Sequence, residues 1–174
     1  MSDSSAMVRQ VKDLKITIFL ALHLAIMQQF SGINAIVVYG SKIAVKATSG
    51  ELSLLVPSLI NFDQVLTTFF TGYLLSKFGR KTLLTLGALF EGIATGIITV
   101  GFFLPDENSL RQPLIIVGLF LFMAVFGLSL GPVVWLYIPE IVQPRIVPFS
   151  TATNWIIASI VIILFPILTD NLPN

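Results

Sequence analysis

The chain contains no cysteine, which removes disulfide scaffolds, thiolate metal centres and thiol nucleophiles together. One histidine, His23, is too few for a histidine-built metal site or a proton relay. Charge is scarce as well. Only 11% of the 174 residues are Asp, Glu, Lys or Arg, against about a quarter in an ordinary soluble domain. Ten basic and nine acidic residues leave a formal charge of +1, so there is no basic field to draw nucleic acid and no acidic tail. Nucleic acid drops out as a partner. His23 has no carboxylate within helical reach in its own span and there is no Ser–His–Asp constellation. An enzyme, a resident metal and a cofactor are therefore not expected.

What the chain has in abundance is apolar surface: 55% of its residues are apolar and the mean hydropathy is +0.93. A helix needs about 20 predominantly apolar residues to cross a hydrocarbon core about 30 Å thick. Five stretches qualify, over 16–41, 52–76, 82–104, 114–138 and 149–169. The expected fold is an all-α polytopic bundle of five transmembrane helices in a lipid bilayer. Between the stretches lie short polar breaks such as 77–81, Pro105-Asp106-Glu107-Asn108 and Gln143-Pro144-Arg145. Nine Pro and twelve Gly suit such a bundle, because neighbouring helices re-satisfy the backbone groups they free. The opening 1–15 is polar and reads as a tail, and the apolar run after it is too long for a cleavable signal peptide. The rest, 16–174, reads as one membrane domain.

Orientation follows from the basic residues. With the N-terminus in the cytoplasm, that side holds Arg9, Lys12, Lys15, Lys77, Arg80, Lys81 and Arg145, and the other side Lys42, Lys46 and Arg111. Seven against three satisfies the positive-inside bias.

Polar groups at membrane depth are costly and face a bundle interior or a water-filled path. Gln28, Gln29, Ser31 and Asn34 interrupt the first stretch around Gly32. On a straight helix Gln29 and Asn34 point about 140° apart. A break at Ser31-Gly32 brings them to one ligand, as discontinuous transporter helices do; the alternative is amides that only bond neighbouring helices. Asp63 in the second stretch suggests proton or cation coupling or, more simply, pairing with a lysine near the loop, and Glu91 and His23 are read in the same way. In the fourth stretch Gly131-Pro132 removes a backbone donor and kinks the helix, with Trp135 one turn on. Asn154-Trp155 sets a second amide beside an indole. Amides and aromatic planes together suit a polyhydroxylated ligand.

Four segments carry a resemblance. They are Gln28-Gln29-Phe30-Ser31-Gly32-Ile33-Asn34-Ala35; Lys77-Phe78-Gly79-Arg80-Lys81 with Leu83 and Leu84; Gly131-Pro132-Val133-Val134-Trp135-Leu136-Tyr137-Ile138-Pro139-Glu140-Ile141; and Asn154-Trp155. In this order and spacing the chain resembles the C-terminal half, helices seven to eleven, of the sugar-porter family in the major facilitator superfamily. The resemblance implies a hexose transporter working by alternating access. It implies sugar contacts at Gln28, Gln29, Asn34, Gln64, Trp135 and Asn154, and a conformational network of Arg80, Lys81, Glu140 and Arg145. Three positions depart from the family pattern: Ser76 replaces an acidic residue before the basic loop, Gln64 an asparagine, and Gly127 a glutamate found in some members. The run from Glu140 to Asn154 is also shorter than usual. Family members have twelve helices in two halves that rock around a shared midplane site. This chain is thus expected to be a fragment whose missing partners are the six-helix N-terminal half and the twelfth helix. A non-transporting sugar sensor or assembly partner that keeps the sugar-contacting face is the alternative.

Overall fold

The computed structural model describes the backbone of residues 2–47 and 52–170 and the side chains of residues 14–40 and 55–167. Every described element is helical: α1 (Ser2–Phe30), α2 (Ile33–Ala47), α3 (Leu52–Phe103), α4 (Arg111–Leu128), α5 (Leu130–Ile141) and α6 (Val147–Asp170). The polar opening is helical, with α1 beginning at Ser2 and running unbroken into the apolar stretch. Four helical stretches are long and apolar enough to cross a membrane: Leu14–Gly40, Leu55–Phe103, Arg111–Ile141 and Val147–Ile167.

The second of these has 49 residues, about 74 Å at 1.5 Å per residue and more than twice a bilayer core. It does not run straight. Gly79, with φ 75° and ψ 168°, is the one non-helical residue inside α3, and the left-handed half of backbone space is open to glycine at little cost. Thr71 and Gly87 stand equally far from Gly79 on either side, about 24 Å apart along a straight helix. Both reach the α4–α5 junction. The Thr71 hydroxyl donates to the Gly127 carbonyl at 2.8 Å, and a Cβ on Gly87 would overlap the Ser129 hydroxyl and lie 2.9 Å from Leu130 Cδ1. So α3 is a hairpin of two legs. The polar break expected over 77–81 is reduced to a single residue.

The second leg runs antiparallel to α4 at close range. A Cβ at Gly101 would meet Ile115 Cγ1 at 2.7 Å and one at Gly118 would meet the backbone nitrogen of Ile98 at 3.1 Å. Small residues let helix backbones approach in this way where hydrophobic drive is lacking. Ile33, Val56, Ile60, Ala94, Ile115, Leu119, Phe122, Met123, Phe126 and Leu130 form the larger core, and Ala21, Ala25, Val134, Ile138 and Val142 a second between α1 and α5. Large apolar side chains otherwise point outward; Phe69 and Phe103 are 79% and 86% exposed. An apolar exterior around a partly polar interior is the arrangement a bilayer requires.

The first stretch is two helices. Gly32 has φ 89°, α1 stops at Phe30 and α2 starts at Ile33. The Ser31 amide bonds the Met27 carbonyl at 3.0 Å and the Gly32 amide the Gln29 carbonyl at 3.1 Å, so the turn leaves few backbone groups unmet. Through this break α1 packs on α5 and α6, while α2 passes to α3, α4 and α6.

Candidate functional site

The break brings Gln29 and Asn34 together: the Asn34 amide donates to Gln29 Oε1. A further break faces it. Ser129, with φ −135° and ψ −99°, separates α4 from α5, three residues before Pro132. Gln28 Nε2 donates to the Leu130 carbonyl at 2.9 Å and to the Gly131 carbonyl at 3.2 Å. Asn154 Nδ2 on α6 donates to Gln28 Oε1 at 2.8 Å and to the Ala25 carbonyl at 2.9 Å, and Gln29 Nε2 donates to Asn154 Oδ1 at 2.7 Å.

Each amide orientation follows from its neighbour. Two carbonyls fix Gln28 with its nitrogen toward α5, and its oxygen then needs a donor, which is Asn154. The Asn154 oxygen needs the nitrogen of Gln29, and the Gln29 oxygen needs that of Asn34. The chain of bonds is therefore directed, from Asn34 toward α5. Gln28, Gln29 and Asn154 are buried, whereas Asn34 is half-buried and keeps its carbonyl oxygen as an acceptor.

These amides form one wall of an open cavity of about 420 Å³, within the range of small-molecule sites. Gln64 and Thr68 of α3, Trp135 of α5 and Trp155 of α6 also line it. All six residues singled out as sugar contacts, Gln28, Gln29, Asn34, Gln64, Trp135 and Asn154, border this one space, which supplies hydrogen-bonding edges beside indole faces. The Trp155 indole that the sequence sets beside Asn154 is among them, and Thr68 and Gly127 are lining residues that the resemblance does not name. Thr68 is one helical turn from Gln64, a signal that was available.

Gly127 has a packing reason. A Cβ there would overlap the Thr67 hydroxyl and stand 2.9 Å from the Gln64 carbonyl oxygen, so the glutamate of some relatives has no room against this α3. The run Gly127-Leu128-Ser129-Leu130-Gly131 matches the spacing of a nucleophile elbow, yet it joins helix to helix and Ser129 is buried, donating to the Val125 carbonyl at 2.5 Å. Such an elbow needs an exposed serine on a strand-to-helix turn.

The charged residues fall outside the cavity. Arg80, just past the α3 hairpin turn, grips Glu140 near the end of α5 with two bonds, Nη2 to Oε1 at 2.7 Å and Nε to Oε2 at 3.1 Å. Lys81 and Arg145 are exposed and take no part in this ion pair. At the opposite end Arg111 pairs with Asp106 and donates to the Leu104 carbonyl at 3.1 Å. Asp63 makes no ion pair with any described residue; the side chains of Lys42 and Lys46, the two lysines that most closely precede it, lie outside the described residues. His23 is exposed and stacks on Phe19 at 5.8 Å.

A helical bundle with an apolar exterior, two broken helices and a polar cavity between them is a polytopic membrane protein of transporter type. The family described as "Sugar (and other) transporter" matches residues 1–174. The chain belongs to that family, the sugar porters of the major facilitator superfamily. It is 31% identical to the galactose-proton symporter of Escherichia coli over 176 residues, covering 97% of this chain and 38% of that protein. It is 34% identical to the glucose transporter GlcP of Staphylococcus epidermidis, over 85% of this chain and 34% of that one. With hexose transporter 1 of Toxoplasma gondii it shares 31% identity over 84% of its own length and 27% of the other's. The chain thus spans roughly a third of the length of these relatives.

Proposed function

We propose that this chain is the part of a monosaccharide transporter that corresponds to helices seven to eleven, and that it works with a six-helix N-terminal half and a twelfth helix. The directed amide chain opening on the cavity carries this reading: a ring hydroxyl can donate to the free Asn34 oxygen while C–H faces of the sugar pack on Trp135 and Trp155. The names of the relatives, which include galactose, glucose and hexose transporters, support a hexose as the substrate class.

In this reading Gln28, Gln29, Asn34, Gln64, Trp135 and Asn154 bind the sugar. Arg80 and Glu140, with Lys81 and Arg145 nearby, serve the conformational switch. The Arg80 end faces the cytoplasm, as does the N-terminus, and the Asp106–Arg111 end faces the opposite side. Each half of such a transporter supplies one wall of the site, and rocking of the halves exposes it alternately.

The test is hexose uptake by the assembled transporter carrying Gln29→Ala. A net hydrogen bond is worth roughly 0.5–1.5 kcal/mol, so uptake at low sugar is expected to fall by up to about tenfold, with the protein still inserted. Unchanged uptake for Gln28→Ala, Gln29→Ala and Asn34→Ala alike would leave the amides as helix-to-helix bonds only.

A further inference from the structure

We propose that Gly87, which does not line the cavity, sets its affinity for sugar by seating the α4–α5 junction from behind. The inference rests on the reading of the cavity as a monosaccharide site and names a positioning residue for it. Gly87 is buried on the second leg of α3. A Cβ there would overlap both the hydroxyl and the Cβ of Ser129 and lie 2.9 Å from Leu130 Cδ1. A leucine methyl group can turn to another rotamer, whereas a Cβ moves only with its backbone. Ser129 can therefore stand where it does only because position 87 has no side chain.

Ser129 is the residue at which α4 gives way to α5. Its amide donates to the Phe126 carbonyl at 3.2 Å and its hydroxyl to the Val125 carbonyl at 2.5 Å, which ties it to the end of α4. Its carbonyl accepts from the Val133 amide at 3.0 Å, which ties it to the first turn of α5. A push on Ser129 is thus passed to that turn. Leu130 joins the contact to the site: its side chain lies against Gly87, and its carbonyl accepts from Gln28 at 2.9 Å. The Gly131 carbonyl accepts from the same amide at 3.2 Å.

Phe126, Gly127, Gly131, Pro132 and Trp135, on either side of the junction, line the cavity, while Ser129 and Leu130 are buried and meet Gly87. Displacing the junction from Gly87 carries Gly131 and Trp135 with it and lengthens the bonds that fix Gln28. Because the amide chain is directed, a loosened Gln28 loosens Asn154, Gln29 and Asn34 in turn.

Crowding alone does not give a glycine this role. At Gly101, on the same leg, a Cβ would meet Ile115 Cγ1 at 2.7 Å and the Ile115 backbone nitrogen at 3.2 Å. Gly101 follows Gly87 by about 21 Å of helix rise, and Ile115 does not border the cavity.

The first readout needs no sugar. With Trp155→Phe, Trp135 is the one indole left, one turn after Gly131. In nanodiscs Gly87→Ala is expected to shift the Trp135 emission maximum, added Ser129→Gly to return it, and Gly101→Ala to leave it in place. The second readout is hexose uptake by the assembled transporter. Gly87→Ala is expected to raise KM by up to about tenfold, as loss of a hydrogen bond predicts, and Ser129→Gly to restore it. Gly101→Ala lowers only the amount of folded transporter. An emission maximum unmoved by Gly87→Ala, not returned by Ser129→Gly, or moved equally by Gly101→Ala overturns the proposal. So does an unchanged KM beside a shifted maximum. Should Gly87→Ala fail to fold, Ser129→Cys sets a larger atom on the same contact and is read by the same emission and KM shifts. A wild-type transporter that takes up no hexose contradicts the transport reading instead, and the emission arm then decides the positioning role alone.

Discussion

Asn154 holds the amide chain together, since it is 1% exposed and bonds both glutamines of α1. Asn154→Leu keeps the volume and leaves Gln28 Oε1 and Gln29 Nε2 buried without partners. Each orphaned group costs about 1–3 kcal/mol, so a loss of unfolding free energy of that order is expected in detergent or nanodisc denaturation. Asn34→Leu, at the half-buried end of the chain, is expected to cost much less. The identity of these residues was legible in the sequence, because an amide inside an apolar run is expensive and needs a reason. Their direction was not. It depends on the Leu130 and Gly131 carbonyls, about a hundred residues away, which point at Gln28 only because α4 ends at Ser129.

At the scale of elements, two glycines with positive φ turn helices that would otherwise run on, Gly32 and Gly79. A side chain in the left-handed region costs roughly 1–2 kcal/mol, and nothing lies within 4 Å of either added Cβ. Gly32→Ala is therefore expected to lower stability by that amount through backbone strain alone, as measured by chemical denaturation. Gly127→Ala differs, for its Cβ meets Thr67 and the Gln64 carbonyl; overpacking of about 1–3 kcal/mol is expected, relieved in part by Thr67→Ala. The break at Ser31-Gly32 was readable from the sequence, where polar residues flank a glycine. The sequence points to a break at Gly131-Pro132, because proline removes its own donor and so marks the site, whereas the non-helical residue, Ser129, lies one turn earlier. The charge over 77–81 marks the membrane surface, which a hairpin turn of one residue at Gly79 already reaches.

Among the described residues the ion pairs sit at the ends and large apolar side chains at the perimeter, with the amides gathered on the cavity wall and Asp63 and Glu91 the acids within α3. The Arg80–Glu140 pair joins the α3 turn to α5 at one end, and both side chains are 44% exposed. Such a pair is weak and screened by salt, so it biases a conformational equilibrium without holding the fold. Arg80→Ala is expected to insert and fold normally while changing the transport rate, and combined reversal at Arg80 and Glu140 is expected to restore part of it. Loss of membrane insertion on Arg80→Ala would instead mark the residue as a topogenic anchor. The central claim, that a monosaccharide occupies the amide-lined cavity, has a direct optical test, because the chain has two tryptophans and both Trp135 and Trp155 line that cavity. Titration of the chain in nanodiscs with a hexose is expected to change its tryptophan emission saturably, with the half-point higher by up to about tenfold in Gln29→Ala, as loss of a hydrogen bond predicts. An emission change that never saturates, or one identical in Gln29→Ala, would contradict it.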